Sequence, residues 1–169
     1  MSIVDGEVNE LTEDPGRPSL YSPLIAAYNV VNFGARGDGR TDSTAAFLWA
    51  WMSACSSASP ATVYVSRGNF LIRAASFSGP CRSRIQFQID GTLVAPDNYY
   101  VIGNSGFWIL FYKVSRLTIS GGTIDTRGNE FWSCRKNGNN CPAGARSMME
   151  FDLGIFPLVV SNVIRARKP

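Results

Sequence analysis

The sequence predicts an all-β fold in which short strands wind as a solenoid of stacked coils behind a single capping helix. Three observations carry this reading: one helical apolar stripe near the start, period-two patterning everywhere after it, and echoes between strand–turn units a few tens of residues apart.

The helix is announced by Phe33-Gly34-Ala35-Arg36-Gly37-Asp38-Gly39-Arg40-Thr41-Asp42-Ser43-Thr44. Three glycines and an aspartate suit a tight reversal, because glycine enters left-handed conformations freely and aspartate bonds backbone N–H groups nearby. Thr41, Asp42 or Ser43 can then accept from the first free N–H groups of a helix. Ala46, Phe47, Ala50, Trp51 and Ala54 recur at three- and four-residue intervals and form one apolar stripe, and the Ser/Pro stretch from Ser56 to Pro60 ends it. The spacing predicts a helix near 43–56 and nothing helical after it.

From Ala61 onward apolar residues alternate with polar ones: Val63 and Val65, Phe70 and Ile72, then Ile85, Phe87 and Ile89. Further strands are expected at Leu93 to Ala95, Phe107 to Val114, Leu117 to Ile119, Thr123 to Asp125, Ser147 to Phe151 and Leu158 to Ile164. Two Gly-Thr steps, Gly91-Thr92 and Gly122-Thr123, recur in like settings, and Leu117-Thr118-Ile119-Ser120 is echoed by Leu158-Val159-Val160-Ser161. Such echoes are what stacked coils leave in a sequence, since each coil buries its face only against its neighbours. A β-sandwich also has many short strands with turn signals and stays open as an alternative. The lone leading helix favours the solenoid, whose first coil exposes an edge that something must cover.

Length and a 45% hydrophobic content suffice for one domain with a core. Residues 1–27 are expected to be a disordered acidic tail, with five acidic side chains against Arg17 alone. That segment has neither a basic start nor a continuous apolar run, so no signal peptide is visible in it. Residues 28–169 form the predicted domain and carry 15 basic against 8 acidic side chains. This excess would steer a polyanion toward the surface. No nucleic-acid recognition motif accompanies it, and no apolar run is long enough to span a membrane, so neither partner is expected.

The chain has no histidine, which excludes Ser-His and Cys-His nucleophiles, and no spacing resembles a calcium loop, a zinc site or a phosphate-binding loop. No cofactor or metal is expected. Asp38 and Asp42 read as turn and cap residues. Asp90 and Asp125 are the acids beside strand ends, but their turn settings suit local backbone bonding rather than an acid–base pair. Phe131-Trp132 is either a sugar-stacking platform or loop core. The four cysteines allow three pairings, of which the local one, Cys55 with Cys81 and Cys134 with Cys141, restrains otherwise loose segments and implies an oxidising compartment. Four free buried thiols remain the alternative.

The stretch from Tyr28 to Ala54 resembles the N-terminal signature of plant polygalacturonases. Val63-Tyr64-Val65-Ser66-Arg67-Gly68-Asn69-Phe70, Phe77-Ser78-Gly79-Pro80-Cys81, Gln86 to Pro96 and Ile119-Ser120-Gly121-Gly122-Thr123-Ile124-Asp125 follow in the same order, so the likeness covers about residues 28 to 151. The resemblance implies a right-handed parallel β-helix, hydrolysis of the polygalacturonan chain of pectin, and an extracellular or cell-wall setting. It also implies an Asn-Thr-Asp motif, an Asp-Asp pair, a Gly-His-Gly motif and an Arg-Ile-Lys motif, none of which occurs in these 169 residues. No residue here is therefore assigned a catalytic role, and the chain is expected to be a truncated β-helix, inactive alone and prone to self-association through an uncapped C-terminal end. A non-catalytic pectin-binding or structural β-helix protein is the alternative.

Overall fold

The computed structural model describes residues 25–102 and 107–127, apart from the side chain of Tyr99, together with the backbone of strands at 149–152, 159–161 and 165–166. The described residues run through β1 (Ala26–Asn29) and β2 (Asp38–Asp42), the one α-helix among them, α1 (Thr44–Ser56), and then β3 (Ala61–Val65), β4 (Asn69–Leu71) and β5 (Ala75–Ser78). There follow β6 (Ile85–Ile89), β7 (Thr92–Val94), β8 (Ile109–Tyr112), β9 (Leu117–Ser120) and β10 (Thr123–Asp125), then β11 (Met149–Asp152), β12 (Val159–Ser161) and β13 (Arg165–Ala166).

These strands form three sheets, ordered β1-β3-β6-β9-β12, β2-β4-β7-β10-β13 and β5-β8-β11. Every pairing is parallel. From β3 to β13 the chain visits the first, second and third sheets in turn, so each strand pairs with its counterpart one circuit later. A β-sandwich of antiparallel hairpins is not what these strands build.

The register explains the core. Ala61, Ile85 and Leu117 are successive partners in the first sheet, as are Val63, Phe87 and Ile119, and all are buried. Phe70, Leu93 and Ile124 align in the second sheet, and Phe77 with Phe111 in the third. Period-two alternation turns these residues inward and leaves Gln86, Gln88, Thr118 and Ser120 between them partly exposed. Rings from two sheets meet in the middle: Phe77 stacks on Phe111 with centroids 5.0 Å apart, and Phe87 lies 5.5 and 5.7 Å from them.

Helix α1 lays its stripe on this aromatic centre. Trp51 sits 5.4 Å from Phe77 and 5.7 Å from Phe111, and Phe47 sits 5.8 Å from Phe70. The Trp51 indole N–H donates to the Ser78 carbonyl at 3.0 Å, so burial leaves its polar atom paired. Burying each such side chain stabilises the fold by about 1.5–3 kcal/mol. At the helix start the cap bond comes from Asp42, whose Oδ1 accepts from Thr44 N–H at 3.0 Å. Ser43, the residue at the cap position, makes no side-chain bond to the helix. Its buried Oγ instead accepts from Arg36 N–H at 3.0 Å, tying the helix start to the glycine-rich loop.

Several elements differ from the sequence expectation. Asp38–Asp42, expected as a turn, is strand β2, because pairing with β4 holds it extended across a register shift. Strands β1 and β5 carry two alanines, and an alanine and two serines, which give weak strand signals; parallel neighbours impose their conformation. A single 3₁₀ turn at Tyr99–Val101 follows α1, where no further helix is expected. Within the last expected strand, Leu158 to Ile164, residues Val159–Ser161 are strand and the others lie outside the described residues; Arg165–Ala166 is a further strand. Of the 1–27 tail, residues 1–24 lie outside the described residues, while Ala26 and Ala27 already pair with β3.

Candidate functional site

A polar cleft of about 450 Å³ opens over the second sheet, lined by residues of β2, β4, β7 and β10 and by Arg127 just beyond. Sheet register builds it: Asp38, Asn69, Thr92 and Thr123 are successive partners on adjacent strands, with Val94 and Asp125 paired two positions further along. The alternation that turns Phe70, Leu93 and Ile124 inward leaves Asn69, Thr92, Thr123 and Asp125 exposed or partly exposed, while Val94 is buried. Thr92 and Thr123 belong to the two Gly-Thr steps of the sequence, which lie exactly one circuit apart, with Thr123 N–H donating to the Gly91 carbonyl at 3.1 Å.

Gly91 shows why this spacing needs glycine. A Cβ there would stand 2.5 Å from the Ser66 carbonyl oxygen and 2.6 Å from that of Gly68, both backbone atoms of the previous circuit.

Arg127 braces one wall across three circuits. Its guanidinium donates to Asp97 Oδ2 at 2.7 Å and to the Gly39 carbonyl at 3.1 Å, and its backbone N–H donates to Asp125 Oδ1 at 3.1 Å. Its backbone lies in the left-handed region at φ 43°, a conformation this bonding holds in place. Asp38 closes the opposite end, its Oδ1 accepting from Arg40 and Thr41 N–H groups at 2.8 Å each and its Oδ2 from the Thr41 hydroxyl at 2.6 Å. The hydroxyl bond first, then the two backbone donors, hold its carboxyl at about 2, below the usual 3.8.

The structure separates the two acids weighed as a catalytic pair. Asp125 lines the cleft over the second sheet. Asp90 follows β6 of the first sheet, where Oδ2 accepts from the Tyr64 hydroxyl at 2.7 Å and Oδ1 from Gln88 at 3.3 Å. The Tyr64 bond, then the Gln88 bond, lower the Asp90 pKa, and the same contact raises that of Tyr64. Asp90 thus bonds side chains of its own and the preceding circuit, where the sequence suggested local backbone bonding. Asp42 pairs with Arg73 at 3.6 Å besides capping the helix.

Cys55 and Cys81 are joined in a disulfide that ties the end of α1 to the segment ahead of β6. Cys134, Cys141, Phe131 and Trp132 lie outside the described residues. Among the described residues no group of three or more His, Cys, Asp or Glu side chains could hold a metal ion, and no helix is long and apolar enough to cross a membrane. Sequence reasoning missed Asn69, Thr92, Thr123 and Arg127 as site residues; the repeated Gly-Thr step was the available signal for two of them.

Parallel sheets stacked circuit upon circuit under a helical cover, with a polar cleft on an outer face, place the chain among pectate-lyase-like proteins. The chain belongs to the rhamnogalacturonase A/epimerase, pectate lyase-like family, whose model matches residues 27–137. It is 49% identical over 132 residues to a polygalacturonase of Prunus persica, which covers 77% of this chain and 33% of that protein. It is 41% identical over 129 residues to a probable polygalacturonase of Arabidopsis thaliana, covering 73% and 29%, and 40% identical over 128 residues to an exopolygalacturonase of Platanus acerifolia, covering 73% and 33%. The chain thus spans about one third of the length of these relatives.

Proposed function

We propose that this chain builds the N-terminal coils of a right-handed parallel β-helix that works in pectin breakdown, as part of a polygalacturonase-type glycoside hydrolase. The observation that carries the proposal is the 49% identity to the Prunus persica polygalacturonase across most of the chain, on a frame whose circuits stack in parallel register.

The chemistry of such an enzyme would lie outside these 169 residues. Inverting hydrolysis needs one carboxyl group to protonate the leaving oxygen and another to activate water, about 6.5–9.5 Å apart. The sequence has no adjacent aspartate pair and no histidine. Its two acids at comparable strand ends belong to different sheets, and Asp90 has both oxygens engaged by Tyr64 and Gln88. The chain alone therefore binds or scaffolds and does not hydrolyse. Strands β11, β12 and β13, each paired on one side only among the described residues, offer edges for further coils or for a second copy of the chain. The Cys55–Cys81 bond supports an extracellular or cell-wall setting, and we extend the pairing to Cys134 with Cys141.

The test is release of reducing ends from polygalacturonic acid by the purified chain. The expected result is none above a protein-free control. Release that scales with protein concentration would refute the proposal.

A further inference from the structure

Charge is sorted in space on this fold. Among the described cations, Arg73 pairs with Asp42 and Arg127 with Asp97, Arg40 bonds Asp38 through its backbone, and Arg36 and Arg67 feel the charges of Asp38 and Asp90. The others, Arg82, Arg84, Lys113 and Arg116, are exposed and make no ion pair among the described residues. All of them lie where the chain turns from the third sheet into the first, at 79–84 between β5 and β6 and at 113–116 between β8 and β9. Register stacks them. The Ala61 N–H donates to the Arg84 carbonyl at 3.0 Å and the Ile85 N–H to that of Arg116 at 3.1 Å. Pro60, Arg84 and Arg116 therefore share one column, about 4.8 Å apart from circuit to circuit. On the third-sheet side of the corner, the Lys113 amine lies over the Tyr112 ring, 5.0 Å from its centroid. No acidic residue occurs in 57–60, 79–84 or 113–116, and Asp152 stands one circuit beyond Tyr112, on β11. Like charges stacked this way repel, and an anion laid along the column relieves the repulsion.

The column has one more member. The Ala26 N–H donates to the Pro60 carbonyl at 3.2 Å, which puts Ile25 at its head, one circuit before Pro60. The chain thus enters the fold from residues 1–24 at the basic corner itself. Those residues lie outside the described ones, and their sequence carries Asp5, Glu7, Glu10, Glu13 and Asp14 against Arg17 alone. Eleven residues separate Asp14 from Ile25, a reach of up to about 36 Å, whereas Arg116 stands only about 14 Å down the column from Ile25. Tethering raises the effective concentration to about the millimolar range, so ion pairs that are individually weak on an exposed surface act together.

We infer that the corner formed by Arg82, Arg84, Lys113 and Arg116 is the docking surface for the acidic segment 5–14 of the same chain. Held there, the segment covers the surface to which the basic excess of residues 28–169 would draw an external polyanion. The inference rests on charge and register and is independent of the proposed role in pectin breakdown.

Lys113 supplies the test, because it is the one side-chain amine of the corner. A water-soluble carbodiimide joins a carboxylate to an amine in contact with it, with loss of water. The full chain, mixed with an isotopically labelled copy, treated with the reagent and digested, should yield peptides that link Lys113 to an acid among residues 5–14. Each linked pair should carry a single isotope composition, as a link within one chain requires. The variant Arg84→Gln/Arg116→Gln leaves Lys113 in place and should lower the yield by about fivefold or more, with far-UV circular dichroism unchanged. About 0.5 M salt, which shortens the screening length to about 4 Å, should lower it equally in the unaltered chain, a comparison that needs no variant to fold. Absence of links between Lys113 and residues 5–14, links of mixed isotope composition only, or a yield indifferent to salt would overturn the inference.

Discussion

Asp38 condenses the local logic of the chain into one side chain. Its carboxylate accepts three hydrogen bonds within three residues, and these hold its pKa at about 2 against the usual 3.8. A depressed carboxyl pKa contributes stability that is present above about pH 4 and lost as pH falls through about 2. We therefore expect the Asp38 carboxyl carbon to titrate near 2 by NMR, and Asp38→Ala to flatten the acid limb of the stability curve between pH 4 and 2. A titration midpoint near 4 would show that the turn bonds do not persist in solution. At this scale the sequence was only partly legible. Glycines and Asp38 marked a tight turn, but nothing local said that the same residues would lie as the edge strand beside β4. Arg127 was less legible still, since its partners Asp97 and Gly39 stand 30 and 88 residues away in sequence.

At the level of elements, α1 shows what periodicity can and cannot deliver. The stripe Ala46, Phe47, Ala50, Trp51 and Ala54 is the buried face, and its spacing alone located it. What the stripe packs against came from the circuit geometry that brings Phe77, Phe87 and Phe111 under Trp51. Strands with strong alternation, such as β6, were legible for the same reason, while β1 and β5 owe their extension to neighbours and were not. The Cys55–Cys81 bond then fastens the C-terminal end of α1 to the next circuit, closing a loop over a sequence separation of 26. Removing it by Cys55→Ala/Cys81→Ala should lower the unfolding free energy by about 2–4 kcal/mol, measured by urea denaturation. An unchanged midpoint would mean that packing of Trp51 and Phe47 holds the helix in place without the covalent tie.

For the molecule as a whole, parallel register repeats the same few positions circuit after circuit, which is why faint sequence echoes carried so much of the fold. Of Leu117-Thr118-Ile119-Ser120 and its echo at 158–161, Thr118, Ile119 and Ser120 are paired to Val159, Val160 and Ser161. The cleft was less visible because a site spread over four strands leaves only one polar residue or two in each, and alternation alone cannot mark which outer face will be hollow. We propose that this chain supplies scaffold coils of a pectin-degrading enzyme and none of its bond-breaking groups. The most direct measurement joins the chain to the two thirds of the Prunus persica relative that it does not match, then compares reducing-end release from polygalacturonic acid by the fusion and by the chain alone. We predict release by the fusion and none by the chain. Release by the unfused chain, or a folded fusion without activity, would contradict the account.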